Sequence, residues 1–165
     1  MTMLGFMTKR ISSNCVNLFE QILRYARKQS NSFISSLKIN PSKVVFPEQT
    51  HSSNVEIIRK SKLYNETDGL ISTTHDYGLG LLVADCSPVF LFGIKSNHFG
   101  VIHSGWRGTA NKITTNALKR FVSLGNASCD IKAVIGPSIK KCCFEISSDP
   151  ASMAIELAVS YTHLT

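Results

Sequence analysis

The stretch LLVADCSPVFLFGIKSNHFGVIHSGWRGTANKI, residues 81 to 113, carries most of the information about the fold. It contains apolar runs that polar groups interrupt where burial would otherwise continue. Leu79 to Ala84 and Val89 to Phe92 are split by Asp85-Cys86-Ser87-Pro88, and Phe99 to His103 runs into Ser104-Gly105-Trp106-Arg107-Gly108. Short runs rich in β-branched and aromatic residues, bounded by turn formers, read as strands. After the last of them the period changes from two to about 3.6. A helix is predicted to open at Thr109 or Asn111 and to carry Ile113, Ala117, Leu118, Phe121 and Val122 on its buried face, with Gly125 as its C-terminal cap.

Working outward, the same criteria predict strands at Val44 to Phe46, Val55 to Ile58 and Ile131 to Ile135. Toward the N-terminus, Val16, Phe19, Ile22, Leu23 and Ala26 fall at helical spacing behind the capping residues Ser12, Ser13 and Asn14, so a helix is expected to end near Lys28. A last helix is predicted from about Pro150, carrying Met153, Ile155, Leu157 and Ala158. No repeat, low-complexity tract or linker divides the 165 residues. One α+β domain, a mixed β-sheet flanked by helices with its site at strand ends, is the expected architecture.

Composition narrows the function classes. With 43% hydrophobic and 18% charged residues, the chain can bury its own core. No apolar run approaches the roughly 18 residues of a membrane span, and MTMLGFMTKR lacks the order of a signal peptide, so a cytoplasmic protein without a membrane partner is expected. The five cysteines, Cys15, Cys86, Cys129, Cys142 and Cys143, are odd in number and irregularly spaced, which favours reduced thiols open to metal binding or catalysis. The net charge of +7 favours anionic partners. Its dispersal as single or paired Lys and Arg, without interleaved aromatics, argues against nucleic acid.

Four polar clusters end predicted strands: Glu48-Gln49-Thr50-His51, Ala84-Asp85-Cys86-Ser87-Pro88, His103-Ser104-Gly105-Trp106-Arg107-Gly108, and Gly136-Pro137-Ser138-Ile139. Loops on a rigid sheet are where reactive groups gather. His51, Cys86 and His103 together offer two imidazoles and a thiolate, a set that Zn(II) accepts in open catalytic sites. Their spacing alone does not prove it, since 34 residues separate the first pair and 16 the second, and taken singly such a His is more often an ordinary core or surface side chain and such a Cys an inert buried thiol. One copper is also compatible with two His and one Cys, whereas five histidines without a His-x-His pair are too few for a multicopper cluster. Arg107, between Gly105 and Gly108 at a helix start, suits a phosphate, with a solvated turn as the equal alternative. Ser138 could offer a hydroxyl to an anion, and Gln49 and Arg10 complete the candidate substrate contacts.

In order along the chain, GFMTKR (5–10), EQTHSSNV (48–55), TDGLIS (67–72), LLVADCSPVFLFG (81–93), VIHSGWRGTANKI (101–113) and AVIGPSIKKCCFEI (133–146) resemble the laccase-domain proteins. These are also called multicopper polyphenol oxidases and are regarded as purine nucleoside phosphorylases. The resemblance covers residues 4 to about 148 of a single laccase-like domain; residues 159–165 depart from it, and a chain shortened at its C-terminus is expected.

The resemblance implies zinc on His51, Cys86 and His103. It further implies phosphorolysis of adenosine, inosine and 5'-methylthioadenosine together with adenosine deamination, and some members are described as peptidoglycan-precursor editors. In that reading Arg107 and Arg10 hold phosphate and Asp85 carries a proton. Two other classes stay open: a hydrolase in which His103 activates Cys86 as nucleophile, and a basic module that binds nucleotides without turnover.

Overall fold

The computed structural model describes residues 28, 30–36, 39–140 and 142–144. The expected helices before Lys28 and after Pro150, together with Arg10 and Cys15, lie outside the described residues. Seven strands are β1 (Val44–Val45), β2 (Val55–Ile57), β3 (Gly69–Ser72), β4 (Gly78–Leu79), β5 (Ser87–Gly93), β6 (Phe99–Ser104) and β7 (Ile131–Ile135). The helices after β6 are α1 (Trp106–Ala110) and α2 (Ile113–Ser123). Residues 30–36 are helical as well.

The main sheet has five strands in the order β2-β3-β6-β5-β7, and β1 pairs with β4 in a separate two-stranded ladder. Parallel pairing of β2 with β3 and antiparallel pairing of the other neighbours make the main sheet mixed, as the α+β reading requires. Successive residues of a strand face opposite sides, and the core divides accordingly. On one side Val55, Ile71, Val89, Leu91 and Ile102 pack against Ile113, Ala117 and Phe121 of α2. On the other, Leu70 and Val101 join Val45, Ile58 and Tyr64. Burial of both faces makes β3 and β6 the centre of the domain.

Three sequence expectations need correction. Leu79 to Ala84 is not a strand beyond Leu79. The Leu82 main chain is bonded on both sides by the Gln49 amide, Leu82 N donating to Oε1 at 2.8 Å and Nε2 donating to Leu82 O at 2.7 Å, so a side chain takes the place of a neighbouring strand. The helix expected from Thr109 or Asn111 begins earlier, at Trp106, and is broken at Lys112, whose φ of 60° is left-handed. Its buried stripe is Ile113, Ala117 and Phe121, while Leu118 and Val122 are exposed. Gly125 caps α2 as expected, with φ of 90° and its N–H donated to Val122 O at 2.9 Å.

The strand missing from the sequence reading is β3, which is decisive for the site. Gly69 opposes Ile102 in the β3–β6 register, which sets Asp68 beside His103. The His103 N–H is donated to Asp68 O at 2.7 Å. Pro88 opposes His103 in the β5–β6 register, so the residue two before it, Cys86, reaches the same end of the sheet.

Candidate metal centre

His103 is the penultimate residue of β6 and is 4% exposed. Cys86 precedes β5 and is half-buried, while His51 lies in the loop before β2 and is exposed. Their donor atoms all lie within 4.8 Å of one another. The imidazoles of His51 and His103 meet edge to face with ring centroids 4.8 Å apart. Among the described residues this is the one group of three or more His, Cys, Asp or Glu side chains close enough to share a cation. His75 instead stacks on Phe99, and His98 is bonded to the Asn126 amide at 2.8 Å.

The arrangement is organised by a fully buried carboxylate, Asp68. Its Oδ1 accepts from His51 N at 3.0 Å and lies 2.7 Å from His103 Nδ1. Its Oδ2 accepts from Thr50 N at 3.1 Å, Ser52 N at 2.7 Å and Ser52 Oγ at 2.8 Å. Burial alone would raise this acid, but the hydrogen bonds from the His103 and Ser52 side chains and from the Ser52 and Thr50 amides prevail and hold it at about 2. An ionised carboxylate only accepts, so His103 donates Nδ1–H to Asp68 and keeps Nε2 free to face Cys86 and His51. The same carboxylate fastens residues 50–52, which holds His51 at a left-handed φ of 61°.

Electrostatics within the trio are coupled. The Cys86 thiol is pulled down to about 6, first by the His103 imidazole and then by that of His51, against the opposing effect of burial. Burial would lower His103, but its bonds to Asp68 and Cys86 win and raise it to about 9. Without a cation the pair is therefore thiolate and imidazolium near neutral pH. Space is as tightly set. A Cβ on Gly105 would stand 2.9 Å from His51 Cδ2 and 3.0 Å from Cys86 Sγ, so only glycine leaves both donors in place.

Two imidazole nitrogens and one thiolate, with one imidazole oriented by a carboxylate, suit a tetrahedral cation with its fourth position open. The other sequence candidates are arranged around this centre differently. Gln49 spends its amide on the Leu82 main chain and so braces the segment that leads to Cys86. Asp85 is exposed beside Cys86, and its carbonyl accepts from Ile139 N at 3.0 Å. Ser138 is half-buried on that adjoining segment. Arg107 is exposed, its guanidinium 4.3 Å from the Trp106 ring centroid. Sequence reasoning assigned no role to Asp68 or Ser52, and read Gly105 as allowing close approach of the backbone to a ligand rather than as room for His51 and Cys86. The Asp before a short apolar run in TDGLIS was the available signal.

These features define an α+β domain with a His2Cys centre at the ends of its central strands. The chain belongs to the family described as multi-copper polyphenol oxidoreductase laccase, which residues 22–162 match. A purine nucleoside phosphorylase of Borreliella burgdorferi is 34% identical over 106 residues, covering 64% of this chain and 46% of the relative. One of Bacteroides thetaiotaomicron is 29% identical over 149 residues, covering 84% and 55%. The crystal structure of a Bacillus licheniformis hypothetical protein, YfiH, superposes with a TM-score of 0.76 at 26% identity, covering 81% of this chain and 54% of that one. The chain thus spans about half the length of these relatives. No helix among the described residues is long and apolar enough to cross a membrane.

Proposed function

We propose that the chain carries the metal centre of a zinc-dependent purine nucleoside phosphorylase, acting on adenosine, inosine and 5'-methylthioadenosine and also deaminating adenosine, in the cytoplasm. The observation that supports this most directly is the convergence of His51, Cys86 and His103 donor atoms within 4.8 Å, with His103 oriented by a buried carboxylate. The names of the relatives supply the reaction class.

In this reading His51, Cys86 and His103 hold Zn(II). When bound, Zn(II) supplies Lewis-acid polarisation of a substrate oxygen or of water. Asp68 stays ionised throughout, because its oxygens are occupied by five donors, and its work is to keep Nδ1–H of His103 in place. Asp85, exposed next to Cys86, is positioned to exchange protons with solvent and carries the proton of the leaving base or amine. Arg107, with Arg10 and Ser138 as companions, holds the attacking phosphate while positive charge develops on the ribose. Gln49 contributes by fixing the loop through its amide rather than by binding substrate.

The test is metal analysis of the purified protein beside an assay for free purine base from nucleoside and phosphate. Alanine at His51, Cys86 or His103 is expected to abolish both stoichiometric zinc and turnover. Full phosphorolysis in a metal-free triple variant refutes the reading, and nucleoside binding without product would favour a non-catalytic module.

A second reading draws on the depressed Cys86 thiol beside His103: a metal-independent hydrolase, or peptidoglycan-precursor editor, in which Cys86 is the nucleophile. A thiolate bound to zinc is not free to attack. Iodoacetamide reactivity of Cys86 that chelator leaves unchanged would favour the nucleophile.

A further inference from the structure

Beyond the His2Cys centre, the described residues bring together a second pair of nucleophiles. Cys142 and Cys143 are adjacent in sequence, both exposed, with Sγ atoms 3.1 Å apart. The chain leading to them is tied to the sheet. Gly136 N donates to Pro88 O at 2.8 Å and Ile139 N to Asp85 O at 3.0 Å, which ties the chain after β7 to the start of β5. Cys143 N and Phe144 N then both donate to Lys140 O, at 3.0 and 3.1 Å, closing a turn that presents the thiols side by side.

Two thiols in this position have two principal uses, and the geometry separates them. A stable disulfide favours Cα atoms more than about 4.4 Å apart, whereas neighbours joined by a trans peptide are about 3.8 Å apart. Bridging adjacent residues therefore costs strain and yields a readily reduced bond. Chelation needs no S–S bond, only two sulfurs aimed at adjacent positions of a third atom. Zinc would require further protein donors for a closed tetrahedral site, and among the described residues no His, Asp, Glu or other Cys joins this pair to make a group of three. A ligand satisfied by two sulfurs fits.

We propose that Cys142 and Cys143 form a dithiol binding site for a thiophilic electrophile that exchanges two leaving groups, of which an organic arsenic(III) dihydroxide is the type. Each thiol replaces one hydroxide: two As–O bonds break, two As–S bonds form, and each thiol proton leaves with its hydroxide as water. Arsenic keeps its oxidation state, so no oxidant or reductant is involved. The lone exposed thiol Cys129 can make only one such bond. The second As–S bond at the pair is intramolecular, and loss of that advantage is expected to weaken retention about a hundredfold or more.

The probe is phenylarsine oxide, added to the purified full chain. One equivalent should be retained, two reactive thiols should disappear, and peptide mapping after iodoacetamide should show Cys142 and Cys143 protected together. A 1,2-dithiol should release the arsenical, whereas a monothiol at equal concentration should not. Cys142→Ser and Cys143→Ser should each lose retention, while Cys129→Ser keeps it. Retention by both single variants, protection at Cys15, Cys86 or Cys129 instead, or release by monothiol from the unmodified protein overturns the proposal. The last two are measured on the natural chain and hold even if a variant folds poorly.

Discussion

Replacing Asp68 with asparagine preserves the side chain's shape and removes the charge on which five donors converge. If the amide oxygen keeps the three donors of Oδ2, the new NH2 group faces His51 N–H and His103 Nδ1. His103 then becomes an acceptor at Nδ1 and carries its proton on Nε2, the nitrogen assigned to the cation, while His51 N–H is left without a partner. One unsatisfied buried donor costs about 1–3 kcal/mol, and exchanging a charge-assisted bond for a neutral one adds about 1 kcal/mol. The total, about 3 kcal/mol, corresponds to a fall in Tm of about 10 °C for a chain of this size. Zinc affinity should fall about 10- to 100-fold, the usual cost of losing a carboxylate behind a ligating histidine.

The pH dependence gives an independent check. Asp68 falls from 3.8 to about 2 on folding, a contribution of about 2 kcal/mol. It is fully present above pH 3.8 and disappears as pH drops through about 2. Seen from the other partner, His103 rises from 6.5 to about 9, so stability is fully present below 6.5 and lost as pH rises through 9. This is largely one ion pair, counted once. Calorimetric melting and chelator competition, performed on both proteins across this range, measure each effect. An Asp68→Asn protein that melts within about 2 °C of the natural one and binds zinc equally well would refute the assigned role of the carboxylate.

Other perturbations have equally definite outcomes. Zinc uptake between pH 6 and 9 should release about one proton, from His103, because Cys86 is already ionised there. Affinity should fall about tenfold for each pH unit by which the pH is lowered through that window and more steeply below it; calorimetry in buffers of different ionisation enthalpy counts the proton. Gly105→Ala should leave far-ultraviolet circular dichroism unchanged yet lower zinc affinity by at least about tenfold, since the added carbon meets His51 and Cys86 rather than the core. Phe121→Ala, at a fully buried position beneath the sheet, should cost about 3–5 kcal/mol in urea unfolding.

Much of this molecule was legible locally. The runs around Val55, Val89, Phe99 and Ile131 became strands within two residues of their expected ends, because β-branched and aromatic side chains fit a pleated, buried surface. What local pattern could not show was decided by distant partners. Leu82 looks like strand but is claimed by Gln49, and β3, only four residues with both faces covered, has no alternation to betray it. The same holds for the site. Donor chemistry and the family resemblance singled out His51, Cys86 and His103, and the structure brings them together. Asp68 gains its meaning only from the pairing of Gly69 with Ile102, a contact that no spacing in the sequence announces.

The margin of the sheet formed by β7 adjoins the centre. Among the described residues β7 pairs with β5 alone, and its Val134 and Ile135 are 54% and 71% exposed. Ile135 sits opposite Val89, and the next amide, Gly136 N, reaches Pro88 O. A strand docking along that open rim would therefore arrive alongside the Cys86 loop. Shielding sticky backbone and shaping the approach to the metal centre would then be one architectural event, not two.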